Sequence, residues 1–568
     1  MKSRFSFYIV FALSILLSSS LVSQNIPGYR SPLDIPLSLS GTFGELRSNH
    51  FHSGIDIRTQ GKTGLPIYAI GSGYVSRIAV GAFGFGNAVY IHHPETGHTS
   101  VYAHLESFND EITAYIRKVQ YQKQSFEVNV YLDPHEILVE RGDVIALSGN
   151  SGSSGGPHLH FEIRRTSDQH PLNPLLFGFE VEDQSPPVIN RIKFFAVDQH
   201  GAVMDFDAPE GYAVKRVEEG RYLFDREVLA LGQIGFAVDA YDRQEGSWNK
   251  NGVYGVELYV DDKLFFRQVF DEFSFSETRY CNATTNYEAY ACCRKKFYNG
   301  IRLPNNQLDM LKGMPSHLDI EPNENHEMRF EVFDLAGNRS TLEFEVRGDH
   351  RLGNRFRPDD PESWMSNGQT NAFRNEYVDV FLPLDVLYED FYFEYEREIS
   401  SDELSDVHRV HQAEVAAHNR YMLGIRPKHD NFDDTKLFIA RVSSSGGVYG
   451  LEKASFKGDY AYAKVRNFGA FQLVLDTVRP VIRPINFWAG QQLGNRTSLQ
   501  FKAYDALSGI DDYRVEINGR WVLAEYDGKN DLFTIDVSEL IASGEQKVVF
   551  VVVDEAGNET RWEGVVYR

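Results

Sequence analysis

Three short segments hold the residues whose types and spacing suit metal and acid–base chemistry. They are His52-Ser-Gly-Ile-Asp56, Tyr102-Ala-His104-Leu105 and His158-Leu-His160-Phe-Glu162. On a strand, residues two and four apart face the same side. His52 is therefore expected to project with Asp56, Tyr102 with His104, and His158 with His160 and Glu162. Catalytic zinc is usually held by three protein ligands, leaving a fourth position for water. His52, Asp56 and one imidazole of the His158/His160 pair make a set of two neutral imidazoles and one carboxylate. That set leaves a net positive centre, which lowers the pKa of a bound water toward ~7. The remaining imidazole and His104 would then stand beside the water, one to accept its proton and the other to stabilise an oxyanion. Glu162, one pleat beyond His160, is either a support behind that ligand or a plain surface carboxylate. His50 reads as a rim residue, and His92, His93 and His98 as solvated residues of a strand end and hairpin.

The elements that must position these groups are mostly strands. From Gly41 to Leu175 short apolar runs, such as Pro66-Ile-Tyr-Ala-Ile70 and Asp143-Val-Ile-Ala-Leu147, are cut by glycine, which implies a mostly β domain. Asn109 to Gln122 has helical spacing and precedes the strand-like run Phe126–Leu132, inside a stretch of about 106–140 that separates the second and third chemical segments.

Further on the chain repeats itself. Pro187-Val-Ile-Asn-Arg-Ile-Lys-Phe194 matches Pro480-Val-Ile-Arg-Pro-Ile-Asn-Phe487, and Ala240-Tyr-Asp242 matches Ala503-Tyr-Asp505. Both copies close on Asp-x-Ala-Gly-Asn, at Asp334–Asn338 and Asp554–Asn558. Their alternating strands suggest Ig-like β-sandwiches, with the closing phrase read as a tight turn in preference to a calcium loop. The expected division is a secretory signal at 1–23, a first domain at 24–178, Ig-like sandwiches at 179–348 and 476–568, and a β-rich unit at 349–475, itself expected to be a sandwich.

Lys2, Arg4 and the short apolar run Phe5–Leu17 carry the signal pattern, so an exported chain is expected, in the periplasm, the envelope or outside the cell. No later run is long and apolar enough to span a membrane. Of the 568 residues 57 are Lys or Arg and 80 are Asp or Glu, a net charge of −23 that argues against a nucleic-acid partner. Three cysteines cannot make a disulfide framework; one local bridge from Cys281 to Cys292 or Cys293 is expected at most.

The three segments, with Phe85-Gly-Asn87-Ala-Val-Tyr-Ile and Arg141-Gly-Asp-Val-Ile-Ala-Leu before the last of them, resemble the lysostaphin/LytM-type zinc metallopeptidases. The resemblance covers about residues 40–175. It implies a LytM-like β-sheet domain with one zinc ion held by His52, Asp56 and His160. It further implies His158 as general base, His104 as its assistant, and Tyr102 and Asn87 as residues lining the substrate groove. The implied function is an exported endopeptidase that cuts peptide crosslinks of peptidoglycan by attack of a zinc-bound water. A non-catalytic LytM-like regulator of other wall hydrolases and a zinc peptidase acting on a secreted protein are the alternatives. The stem peptides or crosslinks are the expected partners, with protein partners for the C-terminal sandwiches. The insert at 106–140 is longer than in compact members and is expected to wall the groove beside His104.

Overall fold

Leu159, Phe161 and Ile163 alternate with His158, His160 and Glu162, which dictates a strand with one apolar face and one polar face. The computed structural model describes residues 28–568, apart from 246, 356–359, 361 and 538–542. In it that strand, His158–Arg165, lies inside a nine-stranded sheet. The main path runs Leu39–Gly41, Ile55–Arg58, His158–Arg165, His98–Leu105, Asn87–His93, Gly73–Val80 and Val128–Tyr131. The apolar face packs on a three-stranded sheet through Ile67, Ile145, Tyr102, Leu159 and Phe161. The expected secretory signal lies outside the described residues, as do residues 356–359 of the polar linker.

The helix of the insert is Asp110–Lys123, capped by Asn109, whose Oδ1 accepts from Ile112 N–H at 3.0 Å. Ile112 and Ile116 bury one side of it in the domain core. The strand that follows, Val128–Tyr131, pairs with Gly73–Val80 at the sheet edge remote from Ile55–Arg58. The insert therefore extends the sheet away from the ligand strands, and its outer side meets the fourth unit, with Tyr121 edge-on to Trp521 at 5.2 Å.

The second unit builds a twelve-stranded assembly around the long strand Val228–Tyr241. Its core does not stop at residue 179. Phe43, Leu46 and Phe51, from the loop before His52, are buried in it, with Phe51 5.7 Å from Phe270 and Phe43 5.2 Å from Phe273. The third unit is a pair of five-stranded sheets and the fourth a pair of four-stranded sheets, each pair closing on its own core. Both Asp-x-Ala-Gly-Asn phrases make the expected tight turn, the Asn338 and Asn558 N–H groups donating to Asp334 and Asp554 at 2.9 and 2.7 Å.

The cysteines depart from expectation. The bridge joins neighbours, Cys292 and Cys293, and leaves Cys281 buried as a free thiol that burial pushes up to about 12.

Because Phe51 fills the second unit's core while sitting next to His52, Phe51→Ala should cost about 3–5 kcal/mol of stability. Thermal unfolding followed by calorimetry should show the transition of the first two units shifted down while that of the fourth stays in place.

Candidate metal centre

Antiparallel pairing sets His160 directly opposite Asp56 on one side and Ala103 on the other. His52 reaches the same point by another route. It lies in a bend between Phe51 and Ile55 and not in a strand, and Gly54 makes the bend fit, since a Cβ there would collide with the Phe161 carbonyl oxygen. The three side chains converge. His52 Nε2 is 3.0 Å from Asp56 Oδ1 and 3.1 Å from His160 Nδ1, and His160 Nδ1 is 3.0 Å from Asp56 Oδ1.

The outward-facing atoms of these residues are all held. His52 Nδ1 donates to the Thr42 carbonyl at 2.8 Å, so Nε2 carries the lone pair. His160 Nε2 lies 2.9 Å from Glu162 Oε1, which leaves Nδ1 to face the centre. Arg47 reaches Asp56 Oδ2 at 2.9 Å, so Oδ1 is the oxygen turned inward. Two imidazole lone pairs and one carboxylate oxygen within 4.8 Å of one another form a donor set that fits zinc. Hydrogen bonds behind each ligand are the usual means of fixing its tautomer and direction.

Glu162 is no surface carboxylate. It is 0% exposed and accepts from Ser53 and, at 2.6 Å, from Arg164 Nε. Burial opposes its charge, yet Arg164 and His160 outweigh that and hold it at about 2. For Asp56, burial again works against ionisation, but His52 and the neighbouring imidazoles keep it well below the usual carboxylate range.

His158 and His104 stand beside the three donors with ring centroids 4.8 Å apart. Each gives its Nδ1 proton to a carbonyl of the loop 150–156: His158 to Gly156 at 2.8 Å and His104 to Ser151 at 3.0 Å. In each ring Nε2 is the nitrogen turned away from that loop, and that of His158 lies 3.4 Å from Asp56 Oδ1. Burial, reinforced by the other histidines, pushes His104 down to about 3, so it is a neutral ring.

Two expectations for the neighbouring strands His98–Leu105 and Asn87–His93 need correction. Tyr102 does not line a groove: it is fully buried, its hydroxyl accepts from Ile70 N–H at 3.0 Å, and its ring packs on Phe161. The reason is local. His104 has φ 59°, a left-handed conformation that breaks the alternation and turns the two side chains to opposite faces. His93 is likewise buried, held by Ser72 and Ser100 and not solvated. Asn87 is half-buried, and its amide donates to the Leu105 carbonyl at 3.2 Å, securing the chain just after His104.

Lys529, nowhere suggested by the sequence pattern, arrives from the fourth unit. Its ammonium bonds the Asn150 carbonyl and lies 3.2 Å from that of Ser154, gripping the loop that orients both histidines.

Glu162→Gln should keep an oxygen that accepts from His160 Nε2–H while removing the charge behind it. Zinc affinity should fall ~10–100-fold, measured by competition with a chromophoric chelator.

Residues 50–123 match the family model described as Peptidase family M23, and residues 362–476 match the one described as Zu5-like domain. The chain is 31% identical over 130 residues to the DD-carboxypeptidase/endopeptidase Mpg of Neisseria meningitidis, covering 23% of each protein. It is 32% identical over 124 residues to a metalloprotease of Haemophilus influenzae, covering 22% of this chain and 20% of that one. The chain thus spans less than a quarter of the length of these relatives. Among solved structures, the catalytic domain of lysostaphin from Staphylococcus simulans overlaps 27% of this chain and 95% of its own, at 22% identity and a TM-score of 0.19. Within a mostly β protein, the stretch that supplies His52, Asp56 and His104 is a peptidase family M23 domain of the lysostaphin/LytM type.

Proposed function

We propose that this chain is an exported zinc endopeptidase that hydrolyses peptide crosslinks of bacterial peptidoglycan. One observation carries the reading: three donor atoms converge at a buried point, with two imidazoles beside it whose Nδ1 atoms are tied to carbonyls, which leaves each Nε2 free of the loop. The presence of an endopeptidase among the relatives supports the same reaction class.

Zinc at this centre would supply a Lewis acid for a peptide carbonyl and lower the pKa of water toward ~7. His158, through Nε2, is placed to take a proton from the attacking water and to pass it to the leaving amine. His104, its ring centroid 4.8 Å from that of His158 and 5.9 Å from that of His160, is placed to steady the charge that develops on the carbonyl oxygen. Asn87 acts by fixing the chain behind His104. The loop 150–156 aims both rings, and Lys529 steadies that loop from the fourth unit.

A regulator that merely activates other hydrolases has no use for an intact set of five such residues, and their mutual geometry favours catalysis. A secreted protein as substrate keeps the same chemistry and differs only in what the groove accepts. The deciding experiment is incubation of the full chain with crosslinked diaminopimelate-type peptidoglycan, with and without a zinc chelator, and mass spectrometry of the fragments. Chelator-sensitive conversion of crosslinked dimers to monomers is expected; zinc-loaded protein that leaves them intact would overturn the substrate.

His160→Ala should lose zinc and activity together, whereas His158→Ala should keep the metal and lose ~10²–10⁴-fold in rate. Lys529→Ala should leave zinc content unchanged and lower kcat by up to ~10²-fold through misplacement of the two rings. An effect of Lys529→Ala on KM alone would assign the lysine to substrate contact instead.

A further inference from the structure

Outside the M23 centre, two more groups of metal-capable side chains occur among the described residues, and they are the same group twice. Asp183, Asp242 and Asp334 bring one carboxylate oxygen each within 4.8 Å of one another, and so do Asp476, Asp505 and Asp554. The members sit at matching places in the two repeats. Asp183 and Asp476 each come four residues before the Pro that opens a repeat. Asp242 and Asp505 end the Ala-Tyr-Asp phrase, and Asp334 and Asp554 begin the Asp-x-Ala-Gly-Asn turn.

The hydrogen bonds repeat as well. Oδ1 of the first aspartate accepts from the N–H two residues on, Ser185 or Val478, at 3.0 or 3.2 Å. Both oxygens of the turn aspartate accept from the turn asparagine, Asn338 or Asn558. The middle aspartate is different. In both copies its Oδ1 is buried without a hydrogen-bond partner, and Asp242 as a whole is only 5% exposed. A buried carboxylate oxygen without a donor is costly, and its recurrence at the same atom of both copies calls for a partner of positive charge. Burial first, and then neighbouring carboxylates, push Asp242 up to about 8 and Asp183 up to about 6.

We propose that each set of three aspartates binds one calcium ion, and that the two ions clamp the junctions where each repeat meets the unit before it. Oxygen-only donors select a hard cation over zinc or copper. Calcium accepts irregular shells of six to eight oxygens, drawn from carboxylates, carbonyls and water, whereas magnesium demands a near-ideal octahedron and gives up its water reluctantly. The first set lines a cavity of about 280 Å³ shared with Thr42 and Leu175 of the first domain. Around it Gln244 accepts from Leu39 N–H at 2.9 Å, and Thr42 donates to the Gly252 carbonyl at 3.0 Å. The second set lies where Lys436 and Lys453 of the third unit hold the carbonyls of Ala556 and Glu555 at 2.7 and 3.1 Å. The Asp-x-Ala-Gly-Asn phrase is then a tight turn and a ligand at once. An ion in the first set also braces Leu39–Gly41, the strand in which Gly41 lies opposite Asp56.

The test is calcium chloride titrated by isothermal calorimetry into the zinc-loaded full chain, with magnesium chloride as comparison. Two calcium sites are expected, with dissociation constants of ~0.1–1 mM, the range of extracellular modules. Asp242→Asn and Asp505→Asn should each remove one site, and the double variant both. Replacement by Asn keeps the shape and removes a buried like charge, so the variants should fold. A calcium-dependent rise in Tm, present in the parent chain and absent from the double variant, is the second readout. No calcium binding to the parent, or binding that the double variant retains, overturns the proposal; loss of a single site with one variant alone overturns it for the other junction.

Discussion

Everything in the M23 domain depends on the register that sets Asp56 opposite His160 across two antiparallel strands. A slip of one residue by either strand would send its own member of the pair into the apolar core and bring Ile57 or Leu159 to the polar face. That register is secured from behind by Leu159, Phe161 and Ile163, which are fully buried on the reverse side. It is secured from the front by a line of paired charge, in which Arg164 satisfies Glu162, Glu162 satisfies His160, and Asp56 draws His52 and His158 toward itself. Buried ions tolerate such a position only when each has a partner. The polar face is therefore all or nothing, and its members support one another in holding a shape that suits a cation.

Much of this could be read from the residues alone. Strict alternation in His158–Glu162 sets the face of each side chain, and the helix Asp110–Lys123 follows from its spacing and its Asn109 cap. The burial of Glu162 had a signal too, since Arg164 continues the same alternation and supplies the countercharge. Tyr102 misled because alternation assumes β geometry at every residue, and nothing in Tyr-x-His announces the left-handed backbone at His104. Arg47, Thr42 and Lys529 had no local pattern to reveal them, being brought to the centre by loops and by a distant unit. The pairing of Cys292 with Cys293 likewise does not follow from counting thiols.

The sheets keep to separate stretches of the chain, but the cores do not. The segment that leads into His52 is anchored by Phe43 and Phe51 in the second unit, so the placement of that imidazole depends on a unit that adds no side chain to the centre. The fourth unit folds back to meet the insert helix through Trp521 and the histidine-bearing loop through Lys529. Units distant along the chain thus enclose the one that carries the chemistry. The acidic tail has a structural reason to be there, whatever it binds.

The grip of Lys529 on Ser154 spans 375 residues of chain. During synthesis the loop 150–156 leaves the ribosome long before its clamp does. A polypeptide interrupted anywhere between the two would carry His52, Asp56, His104, His158 and His160, yet lack the contact that steadies the loop behind two of them. The long-range bond couples the position of that loop to the arrival of the fourth unit, so that a fragment of the chain would hold its two imidazoles less firmly than the residues around them suggest.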